Sequence, residues 1–266
     1  MEAHSSVGRG FFGAGMPLLK LTLAYDGTRY AGWQIQKGTA ATAGKPTIQE
    51  TVEKTLQRIL QERTRVVGSG RTDAGVHALA QVAHVRIKKR VDTARLLRSL
   101  NQLLPPDIAI TSVEEAPKHF HARFSAKRKH YRYRIHTGAV VLPFDRPYVG
   151  HVRYELNVAR MRRELKALVG KHDFRAFGRE GSGGRDTVRI LYSAQLTRHG
   201  DELRIDLVGS GFLHTMVRSI AGTLIDIGRG RLPEGTVNRL LKEKRRDLAG
   251  TTAPSGGLIL MAVAYG

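Results

Sequence analysis

The stretch DTARLLRSLNQLLPPDIAITSV, residues 92–113, carries the signals of a helix, a turn and a strand in direct succession. Its leucines follow the three- and four-residue spacing of one helical stripe, at Leu96, Leu97, Leu100, Leu103 and Leu104. The prolines that follow cannot continue this helix, and IAITSV after them is typical of a strand. The stretch therefore predicts a helix that returns the chain to a β-sheet.

The residues before this stretch predict the other elements of one folding unit. LLKLTLAY (18–25) alternates in apolar character as a strand does. PTIQETVEKTLQRILQ (46–61) begins with a capping-box spacing and continues with apolar residues at helical spacing. TRVVGSG (64–70) and QVAHVRI (81–87) indicate two short strands. The predicted order from 18 to 113 is β-α-β-β-α-β, which is ferredoxin-like.

A similar order of elements follows in the second half. The segments are a strand KHYRYRIH (129–136), a helix NVARMRRELKALVG (157–170), a hairpin turning at HGDE (199–202), helices HTMVRSIAGTLIDIG (214–228) and EGTVNRLLKEKRR (234–246), and a strand GGLILMAVAY (256–265). The predicted fold is α+β, with two pseudo-symmetric ferredoxin-like halves joined into one extended, mainly antiparallel sheet and a central cleft between the halves. The predicted divisions are a disordered leader 1–15, an N-terminal half 16–118 that carries the loop GSGRTDAGVHA (68–78), and a C-terminal half 119–266.

The charge of the chain points to a polyanionic partner. It has 44 Lys and Arg against 23 Asp and Glu, a net charge of +21. No apolar run approaches the ~18 residues of a membrane-spanning helix, so nucleic acid is favoured over a membrane surface. The absence of cysteine excludes disulfides, thiolate zinc sites and a cysteine nucleophile, and it fits a reducing cytoplasm.

The loop GSGRTDAGVHA (68–78) presents one carboxylate, Asp73, close to Arg71. An aspartate in a glycine-rich turn often only bonds its own backbone. A carboxylate facing RNA would be repelled by phosphate, however, and would be tolerated best if it took part in chemistry. Both interpretations are open at this point.

The segment FHARFSAKRKHYRYRI (120–135) interleaves cations with Tyr131 and Tyr133. In a strand these tyrosines share one face and Arg132 and Arg134 share the other. Aromatic rings among cations suit RNA, since bases stack on rings while phosphates take the charges. A basic edge strand with core tyrosines explains the pattern equally well.

The segment GFLHTMVRSIAGTLIDIG (211–228) places Arg218 among small or apolar neighbours, Ala221, Gly222 and Ile225. An arginine on such a surface needs a carboxylate or phosphate partner. The alternative is an arginine whose charged end extends to water.

Taken together, these stretches resemble the TruA-type tRNA pseudouridine synthases. The resemblance rests on AYDGTRYAGWQIQ (24–36), TIQE (47–50), GSGRTDAGVHALAQVAH (68–84), LNQLLPPDI (100–108), FHARFSAKRKHYRYRI (120–135), GFLHTMVRSIAGTLIDIG (211–228) and TAPSGGLILMAVAY (252–265). They span nearly the whole chain from Met16. Two parts of the chain depart from the family pattern, the leader before Met16 and KGTAATAGKP (37–46).

The resemblance implies a role for each candidate residue. Asp73 would be the catalytic aspartate, and Tyr131 would stack on the target base. Arg71 and Arg123 would line the central RNA-binding cleft, and Arg218 would pair with the catalytic carboxylate. Arg71 and Arg218 would together offset the charge of Asp73 next to the anionic RNA. The implied reaction converts uridine to pseudouridine in the tRNA anticodon arm, at positions 38 to 40, without cofactor or metal, in a cytoplasmic homodimer.

Two other functions stay open from the residues themselves. The first is a non-catalytic RNA-binding protein on the same scaffold, which would have no need of both Asp73 and Tyr131. The second is a metal-dependent ribonuclease using Asp73 and His77, which would require a cluster of carboxylates that the sequence does not show.

Overall fold

The computed structural model describes residues 16–34, 44–179 and 186–266. The predicted leader 1–15 and most of segment 37–46 lie outside the described residues. The first half runs in the order β1 (Leu18–Tyr25), α1 (Ile48–Leu60), β2 (Val66–Gly68), β3 (His77–Arg86), α2 (Thr93–Leu103) and β4 (Ile108–Glu115). The predicted β-α-β-β-α-β order is therefore confirmed.

The second half repeats this order with two additional short strands and a second C-terminal helix. It runs β5 (Ala126–His136), β6 (Gly150–His151), α3 (Val158–Lys166), β7 (Gly170–Asp173), β8 (Val188–His199), β9 (Glu202–Gly209), α4 (Met216–Gly228), α5 (Thr236–Glu243) and β10 (Leu258–Tyr265). The chain reverses at Gly200 and Asp201 between β8 and β9, which is the predicted hairpin.

The strand order shows that the two halves are related. In the first half the order across the sheet is β4-β1-β3-β2, and in the second half it is β10-β5-β9-β8. When the short strands β6 and β7 are left out and the remaining four strands of each half are numbered along the chain, both orders read 4-1-3-2, with antiparallel neighbours. The halves join where β10 lies parallel to the start of β3, at Ile259 beside His77 and Leu260 beside Ala78. The predicted α+β fold with one extended, mainly antiparallel sheet is confirmed.

Some element boundaries differ from the sequence prediction. Strand β3 begins at His77, four residues before the predicted start at 81, and these additional residues form the junction with β10. Helix α3 ends at Lys166 instead of continuing to Gly170. Gly170 adopts φ +115°, a conformation that favours glycine, and starts the unpredicted strand β7.

One row of side chains crosses the sheet through both halves. Tyr25 lies beside Ala78, Ala78 beside Leu260, Leu260 beside Tyr131, and Tyr131 beside Leu207. All five are buried, and they belong to one apolar core that also contains the buried residues of the helices. The next residues along each strand, including Ile259 and Arg132, point to the opposite face by strand alternation.

No helix in the described parts of the chain is long and apolar enough to cross a membrane.

Candidate active site

The loop between β2 and β3 is held in place by hydrogen bonds from its own half. The Tyr25 hydroxyl lies 2.9 Å from Thr72 Oγ1, and the backbone N–H of Trp33 donates to the Thr72 carbonyl at 3.0 Å. The Val76 N–H donates to the Asp73 carbonyl at 3.1 Å, which closes a turn around the aspartate. Gly75 inside this turn has φ +76°, where other residues are strained. The turn therefore fixes the position from which the Asp73 side chain leaves the loop.

Both carboxylate oxygens of Asp73 have a partner from the second half. Arg218 Nη1 donates to Asp73 Oδ2 at 2.9 Å, and His214 Nε2 lies 2.8 Å from Asp73 Oδ1. About a fifth of the side chain of Asp73 and of Arg218 is exposed, 18% and 19%. The predicted contact between Arg218 and Asp73 is present, and it links the two halves of the sheet at this point.

The charge state of Asp73 follows from two opposing effects. Burial raises the pKa of the carboxyl, but the hydrogen bonds and charges of His214 and Arg218 outweigh it, so the pKa lies below its usual value. Asp73 is consequently ionised at neutral pH. An ionised carboxylate can act as a nucleophile or as a base.

Helix α4 and the segment before β10 hold Arg218. Its Nε donates to the Ala253 carbonyl at 2.8 Å, and the Ala253 N–H donates to the Arg218 carbonyl at 3.1 Å. A Cβ atom on Gly222 would lie 1.7 Å from the Thr251 carbonyl oxygen, so only glycine allows this segment to approach the helix. The small residues around Arg218 therefore allow the backbone of the segment before β10 to pack against helix α4. The charged partner of the guanidinium is Asp73.

His214 was not identified as a site residue from the sequence. The predicted helix began at this histidine, but α4 begins at Met216, and Thr215 adopts φ +62°. A positive φ is unusual for a β-branched residue. Because of it, the His214 side chain does not point in the direction that helical spacing from residue 214 onward would give it. The only signal in the sequence was a histidine four residues before the arginine.

Tyr131 lies on the same side of the sheet as Asp73 but is mostly covered. Its side chain is 7% exposed, and its ring meets Phe212 edge to face with 5.0 Å between centroids. Burial, followed by the charges of Tyr25 and Asp73, raises its pKa. Tyr133 is fully buried, and its hydroxyl donates to the Pro254 carbonyl at 2.9 Å. Within the described parts of the chain, the Tyr131 hydroxyl has no such partner.

The other two predicted cations do not contact the aspartate. Arg71 is exposed and forms no ion pair with Asp73, so the interpretation that it offsets this charge is corrected: His214 and Arg218 do so. Arg123 is also exposed, and its guanidinium lies 5.6 Å from the ring centroid of Phe124. Both cations remain available to an RNA ligand.

His77 has a structural environment instead of that of a metal ligand. Its Nδ1 accepts the Gly27 N–H at 3.1 Å, and its Nε2 lies 3.2 Å from the Pro147 carbonyl. Burial lowers its pKa despite the nearby Asp26, which agrees with a neutral ring that accepts at one nitrogen and donates at the other. Among the described residues, no three His, Asp or Glu side chains are grouped so that they could hold a metal ion.

Comparison with known proteins identifies the family. A sequence model of the family described as tRNA pseudouridine synthase matches residues 22–125 and 165–266. The tRNA pseudouridine synthase A of Limosilactobacillus fermentum is 43% identical over 92% of this chain and 95% of that protein. The protein of the same name from Bacillus licheniformis is 43% identical over 93% of this chain and 98% of that protein.

Solved structures give a much weaker likeness. A Cbf5–Nop10–Gar1 complex matches 91% of this chain and 48% of the other chain, with 11% identity and a TM-score of 0.36. This level of likeness supports no argument about function. The family match and the relatives over nearly the full length of both chains are sufficient: the chain is an enzyme of the tRNA pseudouridine synthase family.

Proposed function

We propose that the chain isomerises uridine to pseudouridine in the anticodon stem-loop of tRNA, at positions 38 to 40. Asp73 is the catalytic carboxylate and Tyr131 stacks on the target base. The observation that carries this proposal is the Asp73 carboxylate, held ionised between His214 and Arg218 at the junction of two halves of a strongly basic chain.

The reaction requires three changes at the target nucleotide. The bond from N1 of uracil to C1′ of the ribose breaks, the base turns, and a bond from C5 to C1′ forms, while C5 loses its proton and N1 gains one. Asp73 can attack C1′, attack C6, or remove the C2′ proton, and all three routes need the ionised carboxylate. Because the reaction is an isomerisation, no oxidant or second substrate enters the balance.

The surroundings of Asp73 suit a nucleotide turned out of its stack. The exposed Arg71 follows the glycines at 68 and 70, so backbone and charge can both approach a phosphate. Tyr131 lies beneath this loop next to Phe212, so a base entering the cleft would meet an aromatic ring. Stacking on Tyr131 requires Phe212 to give up part of its edge-to-face contact.

A homodimer in the cytoplasm is also part of the proposal. Loop residues Val140, Leu142 and Phe144 are 73%, 61% and 88% exposed, which is unusual for neighbouring apolar side chains. The next residue, Asp145, lies 3.5 Å from Arg134. Arg134 lines a cavity of about 610 Å³ on the sheet face opposite Tyr131. The molar mass in solution, measured by light scattering, tests the dimer.

Incubation with unmodified tRNA in the presence of a metal chelator tests the activity. Nucleoside analysis should show pseudouridine with the wild type and none with Asp73→Asn, and sequencing of the product should place it in the anticodon stem-loop. Binding of tRNA without pseudouridine formation would favour the alternative, a non-catalytic RNA-binding protein. Activity in the Asp73→Asn variant within tenfold of wild type would remove Asp73 from the catalytic role.

A further inference from the structure

Lys129 is a half-buried cation that the proposed mechanism does not use. It lies two residues before Tyr131 on β5, so its side chain points to the same face of the sheet. Its ammonium donates to the Ser69 carbonyl at 2.5 Å, and a Cβ atom on Gly70 would lie 3.0 Å from Nζ. Lys129 therefore reaches under the loop that carries Asp73.

The same lysine adjoins the other loop of the site. Lys129 lies beside Gly209 at the end of β9, just before the segment that carries Phe212 and His214. A Cβ atom on Gly211 in that segment would lie 3.5 Å from Nε of Arg189. The loops that present Asp73 and His214 thus both adjoin Lys129. A second cation, Arg189, lies beside the loop that carries His214.

The cations around Lys129 are only partly neutralised. Burial, followed by the charges of Arg123 and Arg189, lowers the pKa of Lys129 to about 8. Arg189 has Asp186 at 3.5 Å, but the carboxylate of Asp186 is 79% exposed. In the described parts of the chain no carboxylate forms an ion pair with Lys129. A half-buried ammonium whose one acceptor among the described residues is a carbonyl favours an added anion.

We propose that Lys129, flanked by Arg123 and Arg189, binds a backbone phosphate of the RNA next to the target nucleotide. This inference rests on the proposed function, because it takes RNA as the substrate. The phosphates on either side of the target uridine are the anions that the reacting nucleotide brings to the Asp73 loop. Lys129 binds it and keeps its hydrogen bond to Ser69, so substrate binding and the position of the Asp73 loop are linked.

The test compares Lys129→Met, Lys129→Arg and a control, Lys20→Met, in tRNA binding at several salt concentrations. Lys20 lies on the opposite face of the sheet with Glu114 at 3.3 Å. One lost phosphate contact should reduce the slope of log affinity against log salt by about 0.7–0.9. We expect this reduction in Lys129→Met alone, with Lys129→Arg and Lys20→Met at the wild-type slope. An unchanged slope in Lys129→Met would overturn the proposal.

A second measurement separates phosphate binding from support of the loop. Oligonucleotides of the anticodon stem-loop carry an uncharged methylphosphonate at the linkage 5′ or 3′ of the target uridine. At one of these linkages the methylphosphonate should weaken RNA binding by the wild type about tenfold. At the same linkage it should hardly change the affinity of Lys129→Met, because this variant has already lost the phosphate contact. If the methylphosphonate weakens binding by Lys129→Met as much as binding by the wild type at both linkages, Lys129 only supports the loop and the proposal is wrong. Pseudouridine formation by the wild type is measured in parallel, so a failure of the proposed function is seen separately.

Discussion

Arg218 Nη1 lies 2.9 Å from Asp73 Oδ2, although the two residues are 145 positions apart and belong to different halves of the sheet. The contact joins the loop between β2 and β3 in the first half to the first turn of helix α4 in the second. Its strength should therefore be visible in the stability of the whole chain.

Removal of either charge should destabilise the fold, and removal of both should cost less than the sum. We expect Arg218→Ala to lower the free energy of unfolding by about 2–3 kcal/mol. This is less than the ~3–5 kcal/mol typical of a broken buried pair, because a fifth of each side chain is exposed and His214 remains. The measurement is a double-mutant cycle with Asp73→Ala, read by denaturant unfolding. Strict additivity would show that the contact contributes no coupling energy.

The acid limit of activity should move when Arg218 is removed. In the folded wild type the pKa of Asp73 is lowered, so its ionisation stabilises the fold above the unfolded pKa of about 3.9. This contribution is lost as the pH falls through the lower folded value. Without Arg218, His214 alone opposes the effect of burial, and we expect the pKa of Asp73 to rise.

The measurement is the pH dependence of kcat/KM from about pH 3 to 8, a range that extends below the ordinary aspartate pKa of about 3.9. The acid limb of Arg218→Ala should lie at higher pH than that of the wild type, while Arg218→Lys, which keeps a positive charge, should lie between them. Coincident acid limbs in all three proteins would mean that Arg218 does not control the ionisation of Asp73.

His214 should support the position of the carboxylate without being required for chemistry. A hydrogen bond to a charged group contributes about 1.5–3 kcal/mol, so His214→Ala should lower kcat by roughly tenfold to a hundredfold. His214→Gln, whose amide can still donate to Asp73 Oδ1, should recover part of this loss. The loss in His214→Ala should remain smaller than in Asp73→Asn. Equal activities of wild type and His214→Ala would show that Arg218 alone positions the carboxylate.

Tyr131 and Tyr133 form a matched pair on one strand. Tyr131→Phe removes a hydroxyl that has no hydrogen-bond partner in the described parts of the chain, so fold and tRNA affinity should stay near wild type. Tyr131→Ala should weaken tRNA binding by roughly 1–3 kcal/mol, the contribution of one stacked base. Tyr133→Phe instead loses the bond to the Pro254 carbonyl and should reduce stability by about 1 kcal/mol without a specific effect on binding. Equal tRNA affinities of Tyr131→Ala and Tyr131→Phe would place Tyr131 in the core alone.

Much of the fold follows from local patterns, because long amphipathic helices and alternating strands each bury one face. The order of elements therefore predicted the two related halves. Strands β6 and β7 are only two and four residues long, too short for an alternating pattern to be recognised. The start of β3 at His77 was also missed, since it depends on pairing with β10, which lies some 180 residues further along the chain.

The site was predictable only where a side chain lacked a local explanation. Arg218 on a small apolar helix face predicted either an anionic partner or an extension to water; the family resemblance implied Asp73 as the partner, and the structure has the two in contact. His214 depends on the left-handed backbone of Thr215, which tertiary packing imposes and no local pattern indicates. Arg71 is near Asp73 in sequence, but the turn directs it to solvent while the aspartate points into the cleft. Closeness in sequence thus indicated the wrong cation.

Gly75 allows the turn that aims Asp73, and replacing it should separate stability from activity. Its φ of +76° strains any other residue, and a Cβ atom would lie 2.7 Å from Ser255 Oγ. Gly230 is a matched control, because its φ is +77° and nothing lies within 4 Å of an added Cβ. Both alanine variants should lose about 1–2 kcal/mol of stability through backbone strain.

Only Gly75→Ala should also lower kcat, by at least tenfold, since the turn must shift and carry Asp73 away from His214 and Arg218. Turnover by both variants is compared at a temperature where unfolding curves show each to be fully folded, and equal kcat values would show that the turn does not aim the carboxylate.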